Sequence, residues 1–290
     1  MAGTSPDRRL NACRPDLADE RLRDTVAAER YVAAQPARIA TGLVPVRPAP
    51  DPATAVDTYF TAGEPVGVFE RRDGWAWCQS EDDGYVGYIP VAALSPDMPA
   101  GDTAWIANPL AFVFAEPDLK TAILDTLPRH ARVTLTDAAP LETRRTFYRQ
   151  LQGGGFVAQA ALSASPPTSP DLLAAARLYL GAPYLWAGKS FAGIDCSGLV
   201  QRAFQDLGRP VPRDSDMQQA HFADAVAATG VRDLVPGDLV YGRGHVGIVT
   251  GPAVIHAEGT RHMRVIEQPV ADFFAEVFGD DWSQVAVRRP

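Results

Sequence analysis

Cysteine is scarce in this chain: Cys13, Cys78 and Cys196 are its only three in 290 residues. Three thiols, odd in number and far apart, offer neither a disulfide framework nor the close-spaced pairs that begin a metal cage, and they suit a reducing compartment. Excess positive charge is absent too. A formal net charge of -8 argues against nucleic-acid and anionic-membrane partners, which select basic surfaces. No apolar run approaches the roughly 20 residues that span a bilayer. The opening "MAGTSPDRRLNACRPDLADERLRD" lacks the apolar segment of a signal peptide. These absences together lead us to expect a cytoplasmic protein with no membrane partner.

What is present is length enough for two or three modest domains, at roughly 100 to 200 residues each. Residues 1–37 are charged and rich in Ala, Leu and Arg, and "DLADERLRDTVAAERYVAA" is expected to form a helical arm. From Ala37 the texture becomes short β-rich runs divided by Gly, Pro and Asp, with "RDG" and "EDDG" as hairpin signals. An internal repeat follows. "GYIPVAALS" from Gly87 is echoed by "GFVAQAALS" from Gly155, and "VRPAPD" from Val46 by "VFAEPD" from Val113. Two copies of a small β-barrel are expected, over 38–98 and 102–164. A Pro/Ser linker then leads into a third domain, 168–290, where Ser169 is expected to cap a helix that Gly181 ends. A second helix is expected from about Cys196 to Leu207, and β runs follow it.

Within the third domain, "GIDCSGLVQRAF" places Cys196 after Asp195 at the start of that second helix. Asp195 as helix cap would put the thiol in the first turn, where free amides and the helix dipole lower a cysteine pKa. Leu199, Val200, Ala203 and Phe204 form one apolar stripe behind it. Two histidines stand in strand-like runs, His245 in "GRGHVGIVTG" and His256 in "PAVIHAEG". With Thr250 and Gly251 as a two-residue hairpin loop, His245 would lie directly opposite His256, a base beside an orienting partner. A buried core cysteine, a zinc site of Cys196, His245 and His256, and a nucleophile with its base are the three readings these residues leave open. His130, His221 and His262 have no partners in sequence and read as surface or structural residues.

The stretches "GAPYLWAGKSFAGIDCSGLVQRAFQDLG", "LVPGDLVYGRGHVGIVTG" and "VIHAEG" resemble the NlpC/P60 cysteine peptidases of the papain-like group over about Asp171 to Pro290. The resemblance implies an α+β papain-like catalytic domain behind two SH3-like barrels, with Cys196 as nucleophile, His245 as base and His256 orienting it. It further implies that Tyr184 and Trp186 line the pocket, Tyr184 supporting an oxyanion, and that Asp195, Ser197, Asp214 and Ser215 contact substrate. Two SH3-like units before such a domain resemble γ-D-glutamyl-L-diamino acid endopeptidases of the YkfC type. The implied substrate is a murein peptide with a free N-terminal L-Ala, such as L-Ala-γ-D-Glu-meso-diaminopimelate or its lysine counterpart, met in peptidoglycan recycling. Glu64 and Tyr85 of the first β unit are the candidates to bind its ammonium group, with Asp83 and Tyr88 as neighbours. Arg209 and Arg213 read as plain surface or as partners of a substrate carboxylate. No metal or organic cofactor is implied. The rival readings are a secreted hydrolase of intact peptidoglycan, a non-enzymatic wall-peptide binder, and a related acyltransferase.

Overall fold

The computed structural model describes residues 6–95, 102–279 and 281–290. The chain divides into two compact units, Met1–Ser165 and Pro166–Pro290.

The first unit opens without the expected helical arm. Ala18–Asp19 pairs in parallel with Tyr31–Val32, and a single 3-10 turn, Glu20–Leu22, lies between them. Apolar residues in this stretch are too sparse to make a helical face worth burying, and a helix without such a face is marginal in water. Ala12 and Leu17 pack instead against Phe69, Trp77 and Val86 of the neighbouring sheet.

That sheet has five strands in the order Val86–Pro90, Trp75–Ser80, Pro65–Arg72, Gln35–Ile39, Leu94–Ser95. Both hairpin signals act as read: Asp73 and Gly74 take the positive φ values of a two-residue turn between Arg72 and Trp75, and Glu81 to Gly84 close the next hairpin. A separate hairpin, Leu43–Val46 with Thr58–Thr61, meets this sheet through an isolated Arg47–Tyr88 bridge. Val44, Val46, Phe60, Val66 and Ile89 fill the space between.

The sequence repeat is also a repeat of pairing. In the first copy a strand, a 3-10 turn (Val91–Ala93) and Leu94–Ser95 run back to pair with Arg38 and Ile39. In the second, Phe156–Ala158, the turn Gln159–Ala161 and Leu162–Ser163 return in the same way to Trp105 and Ile106. The Ala40 amide bonds to the Ala93 carbonyl and the Ala107 amide to that of Ala161, both at 2.8 Å. The closed barrels expected for these copies are absent among the described residues: each copy is built of two separate sheets. The end of the first copy, Pro96 to Met98, lies outside the described residues.

The second unit is α+β. One antiparallel sheet of six strands runs in the order Ala225–Val226, Ala286–Arg288, Leu239–Gly242, His245–Val249, Ala253–Glu258, Arg264–Pro269. Side chains alternate between its faces. Ile248, Ile255, Ala257 and Val265 meet helices α1 (Leu172–Arg177) and α2 (Cys196–Gln205) on one face, whereas Val240, Val249 and Val254 meet α4 (Val270–Phe278) on the other. A sheet covered on both faces gives the nearly continuous apolar runs seen in its central strands. Helix α1 is shorter than expected at both ends: Asp171 and not Ser169 caps it, accepting the Ala174 amide at 2.8 Å, and it closes at Arg177, ahead of Gly181. Helix α3 (Ser215–His221) stands beside the N-terminal half of α2.

Candidate active site

Asp195 caps α2 as expected, one carboxylate oxygen accepting the Gly198 amide at 2.7 Å. Its other oxygen accepts the Ala187 amide at 2.8 Å. Arg213 then grips both oxygens, at 3.0 and 2.8 Å, and also donates to the Ser197 hydroxyl at 2.8 Å and the Gly188 carbonyl at 3.1 Å. This guanidinium is 1% exposed, so it is a core element and not the surface residue its setting beside Pro212 suggested. Planar geometry and a full set of acceptors are what make so buried a charge tolerable. Gln218 of α3 completes the brace, its amide donating to the carbonyls of Ser197 and Pro212. Arg209, by contrast, lies over the Phe204 ring.

The thiol held by this brace is buried in one cluster with Tyr241, Val246 and Ile248 of the sheet. The position at a helix N-terminus was expected to lower its pKa. Burial wins: removal from water pushes the Cys196 thiol up to about 12, the Asp195 charge adds to the rise, and the Val246 and Ser197 backbone and Arg213 offset only part of it.

Val246 follows His245 directly, so the strand packed in the Cys196 cluster also carries the first histidine. His245 Nε2 lies 2.9 Å from His256 Nδ1. The hairpin register differs from the expected one. Val249 pairs with Val254 and Ile248 with Ile255, and the loop is four residues long, with the Thr250 amide bonded to the Ala253 carbonyl. Continued, this register sets Gly247 opposite His256. The two extra residues shift the pairing by an even number, which keeps both histidines on one face as diagonal neighbours. Burial pulls His245 down to about 4, against the charges of Glu258 and Asp195, and pulls His256 down to about 3, with the His245 charge adding to the fall. Both rings are therefore neutral at pH 7, and their tautomers are coupled, since one ring must donate where the other accepts.

Glu258 had not been singled out from the sequence. It lies two residues beyond His256 on the same strand, and its carboxylate folds the following loop by accepting the amides of Thr260, Arg261 and His262 and the Thr260 hydroxyl. Against the upward push of burial, these bonds bring it down to about 2, so it stays an anion facing the histidine pair. The same loop seats Tyr184. Its amide bonds to the Met263 carbonyl at 2.8 Å, and a Cβ added at Gly259 would lie 2.8 Å from its ring. Burial, with the Cys196 and Asp195 charges, raises the Tyr184 phenol to about 12 and keeps it a hydrogen-bond donor.

Ser197 sits in the first turn of α2 on Arg213, while Asp214 and Ser215 lie half-buried at the start of α3. Trp186 is 67% exposed, in the loop where Ala187 takes a φ of 68° to reach Asp195. In the first unit Glu64 is buried and its carboxylate accepts the Thr61 amide and hydroxyl, at 2.9 and 3.2 Å, and the Ser80 hydroxyl at 2.5 Å. Tyr85 is buried in the core of the same copy, with its amide on Asp83 at 3.1 Å, and Tyr88 accepts a bond from Arg14. Among the described residues no three His, Cys, Asp or Glu side chains are grouped to hold a metal ion.

A buried thiol at a braced helix start, beside a strand that carries one histidine bonded to another, is the arrangement of a cysteine peptidase. Residues 181–282 match the NlpC/P60 family, and residues 46–94 match the bacterial dipeptidyl-peptidase SH3 domain. The chain is an NlpC/P60 cysteine peptidase with an SH3 domain ahead of its catalytic domain. It is similar to the γ-D-glutamyl-L-lysine dipeptidyl-peptidases of Bacillus cereus, at 24% identity over 78% of this chain and 75% of that one, and of Bacillus subtilis, at 26% over 71% and 73%. A crystal structure of an NlpC/P60 family protein from Bacillus cereus shares the fold, with a TM-score of 0.67 and 21% identity over 88% of this chain and 99% of that one.

Proposed function

We propose that the chain hydrolyses the bond between γ-D-glutamate and a diamino acid in cell-wall peptides, with Cys196 as nucleophile, His245 as base and His256 as its orienting partner. One observation carries this reading: Cys196, at the braced start of α2, shares a buried cluster with Val246 of the strand whose first residue, His245, is bonded to His256. Two buried groups that each resist charge can still exchange one proton between them, since the resulting pair is neutral overall. His245 takes the thiol proton as sulfur attacks the γ-glutamyl carbonyl. The oxyanion meets the Tyr184 phenol and the amide of Cys196, which has no intrahelical acceptor in the first turn of α2. His245 returns the proton to the leaving amine and then activates the water that cleaves the thioester.

The relatives' names support a γ-D-glutamyl bond as target. Free murein peptides of the L-Ala-γ-D-Glu-diamino acid type, handled inside the cell during recycling, complete the proposal. Glu64 and Tyr85 are assigned to the L-Ala ammonium group. This assignment rests on the family resemblance. The test is mass spectrometry after incubation with free L-Ala-γ-D-Glu-meso-diaminopimelate, its lysine counterpart, the N-acetylated tripeptide and intact sacculi, with Cys196→Ala as control. Release of L-Ala-γ-D-Glu from free peptides alone, abolished in the variant, is the expected result. Equal cleavage of blocked peptide or sacculi refutes the free-amine reading, and no cleavage of any of them refutes the assignment.

A further inference from the structure

His256 leaves one atom unexplained. Its Nδ1 faces His245, but its Nε2 is buried and has no hydrogen-bond partner. A polar ring atom stranded in a core is costly, so its surroundings decide which protonation state it adopts. The aromatic ring packed nearest is Phe273 of α4, centroid to centroid 4.8 Å, with the two planes at 78°. Phe273 is itself fully buried and held by edge contacts with Phe274 and Phe278, each at 5.6 Å. Opposite His256, Gly247 leaves the room this packing needs: a Cβ there would come 3.0 Å from the Phe273 ring and 2.5 Å from Val254.

We propose that Phe273 is a positioning residue of the active site, whose ring face accepts the Nε2–H of His256 and thereby selects the working tautomers of both histidines. The face of a benzene ring is the negative pole of its quadrupole, so it attracts an N–H and repels a nitrogen lone pair. With its proton on Nε2, His256 offers the Nδ1 lone pair to His245, which must then donate from its own Nε2. The Nδ1 lone pair of His245 is left free to take a proton. The opposite tautomer of His256 would donate from Nδ1 to His245 Nε2, place the His245 proton on Nδ1, and leave no base. Neither histidine can settle this alone, because an imidazole pair bonds equally well in both senses. Phe273 breaks the tie.

The inference rests on the catalytic reading for its consequence but not for its test, which needs no substrate. In ¹⁵N-histidine-labelled protein, two-bond ¹H–¹⁵N NMR correlations show which ring nitrogen carries each proton. A His130→Gln, His221→Gln, His262→Gln background leaves only the two rings of interest. The expected result is a proton on Nε2 of both rings in otherwise native protein. A mixture or loss of that signature is expected in Phe273→Leu and in Gly247→Ala, and its retention in Phe273→Tyr, which keeps the ring face. On any peptide that is turned over, Phe273→Leu should lower kcat about two- to fivefold with KM unchanged, the worth of one N–H to ring contact. A proton on His256 Nδ1 in native protein, or a signature unmoved in folded Phe273→Leu, overturns the proposal, whatever the enzyme cleaves.

Discussion

His245 and His256 are bonded at 2.9 Å although they are not opposite each other in their hairpin. The residue across from His256 is Gly247, and the missing side chain there is what lets a diagonal pair close over Phe273. The strand register, one glycine and one buried ring thus set the geometry of the proposed base.

The pH dependence follows from the burial of that base. His245 is held down to about 4 instead of the usual 6.5, so its neutral, proton-accepting form persists as pH falls through 6.5 and is lost only as pH falls through about 4. The acid limb of kcat/KM, which reports groups of the free enzyme, should lie nearer 4 than 6.5. Peptide turnover from pH 3.5 to 8 checks this, and a limb centred at 6.5 contradicts it.

The brace beneath the nucleophile should dominate local stability. Arg213→Met removes one partner of a buried ion pair and leaves Asp195 uncompensated, a loss of about 3 to 5 kcal/mol. Arg213→Lys should recover only part of it, because an ammonium cannot reach four acceptors in one plane. Urea unfolding of the two variants measures the difference.

Tyr184 gives a steric test. Gly259→Ala puts a methyl carbon 2.8 Å from its ring, inside contact distance, so the phenol must move. The expected result is a fall in kcat of about tenfold or more, the range for loss of one oxyanion donor, with the overall fold intact by circular dichroism. Tyr184→Phe should reproduce the kinetic effect without the clash.

Thiol chemistry separates the three cysteines. Cys78 is buried in the core of the first β unit, where burial raises its pKa beyond the usual thiol range, and Cys13 is also raised by burial. Cys196 is buried with its thiol raised as well, so iodoacetamide at pH 7 should modify the partly exposed Cys13 first, and activity should fall only with the slower modification of Cys196. His245→Ala should slow that modification at least tenfold. Peptide mapping of the alkylated protein reads both effects.

Much of the site was legible because it is local. Asp195 before an apolar helical stripe marks a capped helix, and the cysteine and both histidines fall in short stretches whose periodicity is plain. What the sequence hid depends on contacts between distant segments. Arg213 has no local sign of burial and becomes a core residue only because Asp195, Ser197 and Gly188 converge on it. The only local clue to Glu258 was its place two residues past His256, before a Gly-Thr turn. The N-terminal arm failed for the opposite reason: good helix formers were present, but Leu17 and Ala12 found a sheet to pack on, and packing outweighs propensity. The hairpin loop is two residues longer than the Thr250-Gly251 turn signal implies, because those residues are only half of a four-residue turn.

The central claim is that Cys196 forms a covalent bond with the γ-glutamyl carbonyl, and trapping that intermediate tests it most directly. Native protein mixed with free L-Ala-γ-D-Glu-meso-diaminopimelate, quenched in acid within milliseconds and mapped by mass spectrometry, should carry an L-Ala-γ-D-Glu thioester on the peptide containing Cys196. Turnover that continues in Cys196→Ala, or an acyl group found on another residue, would contradict the account.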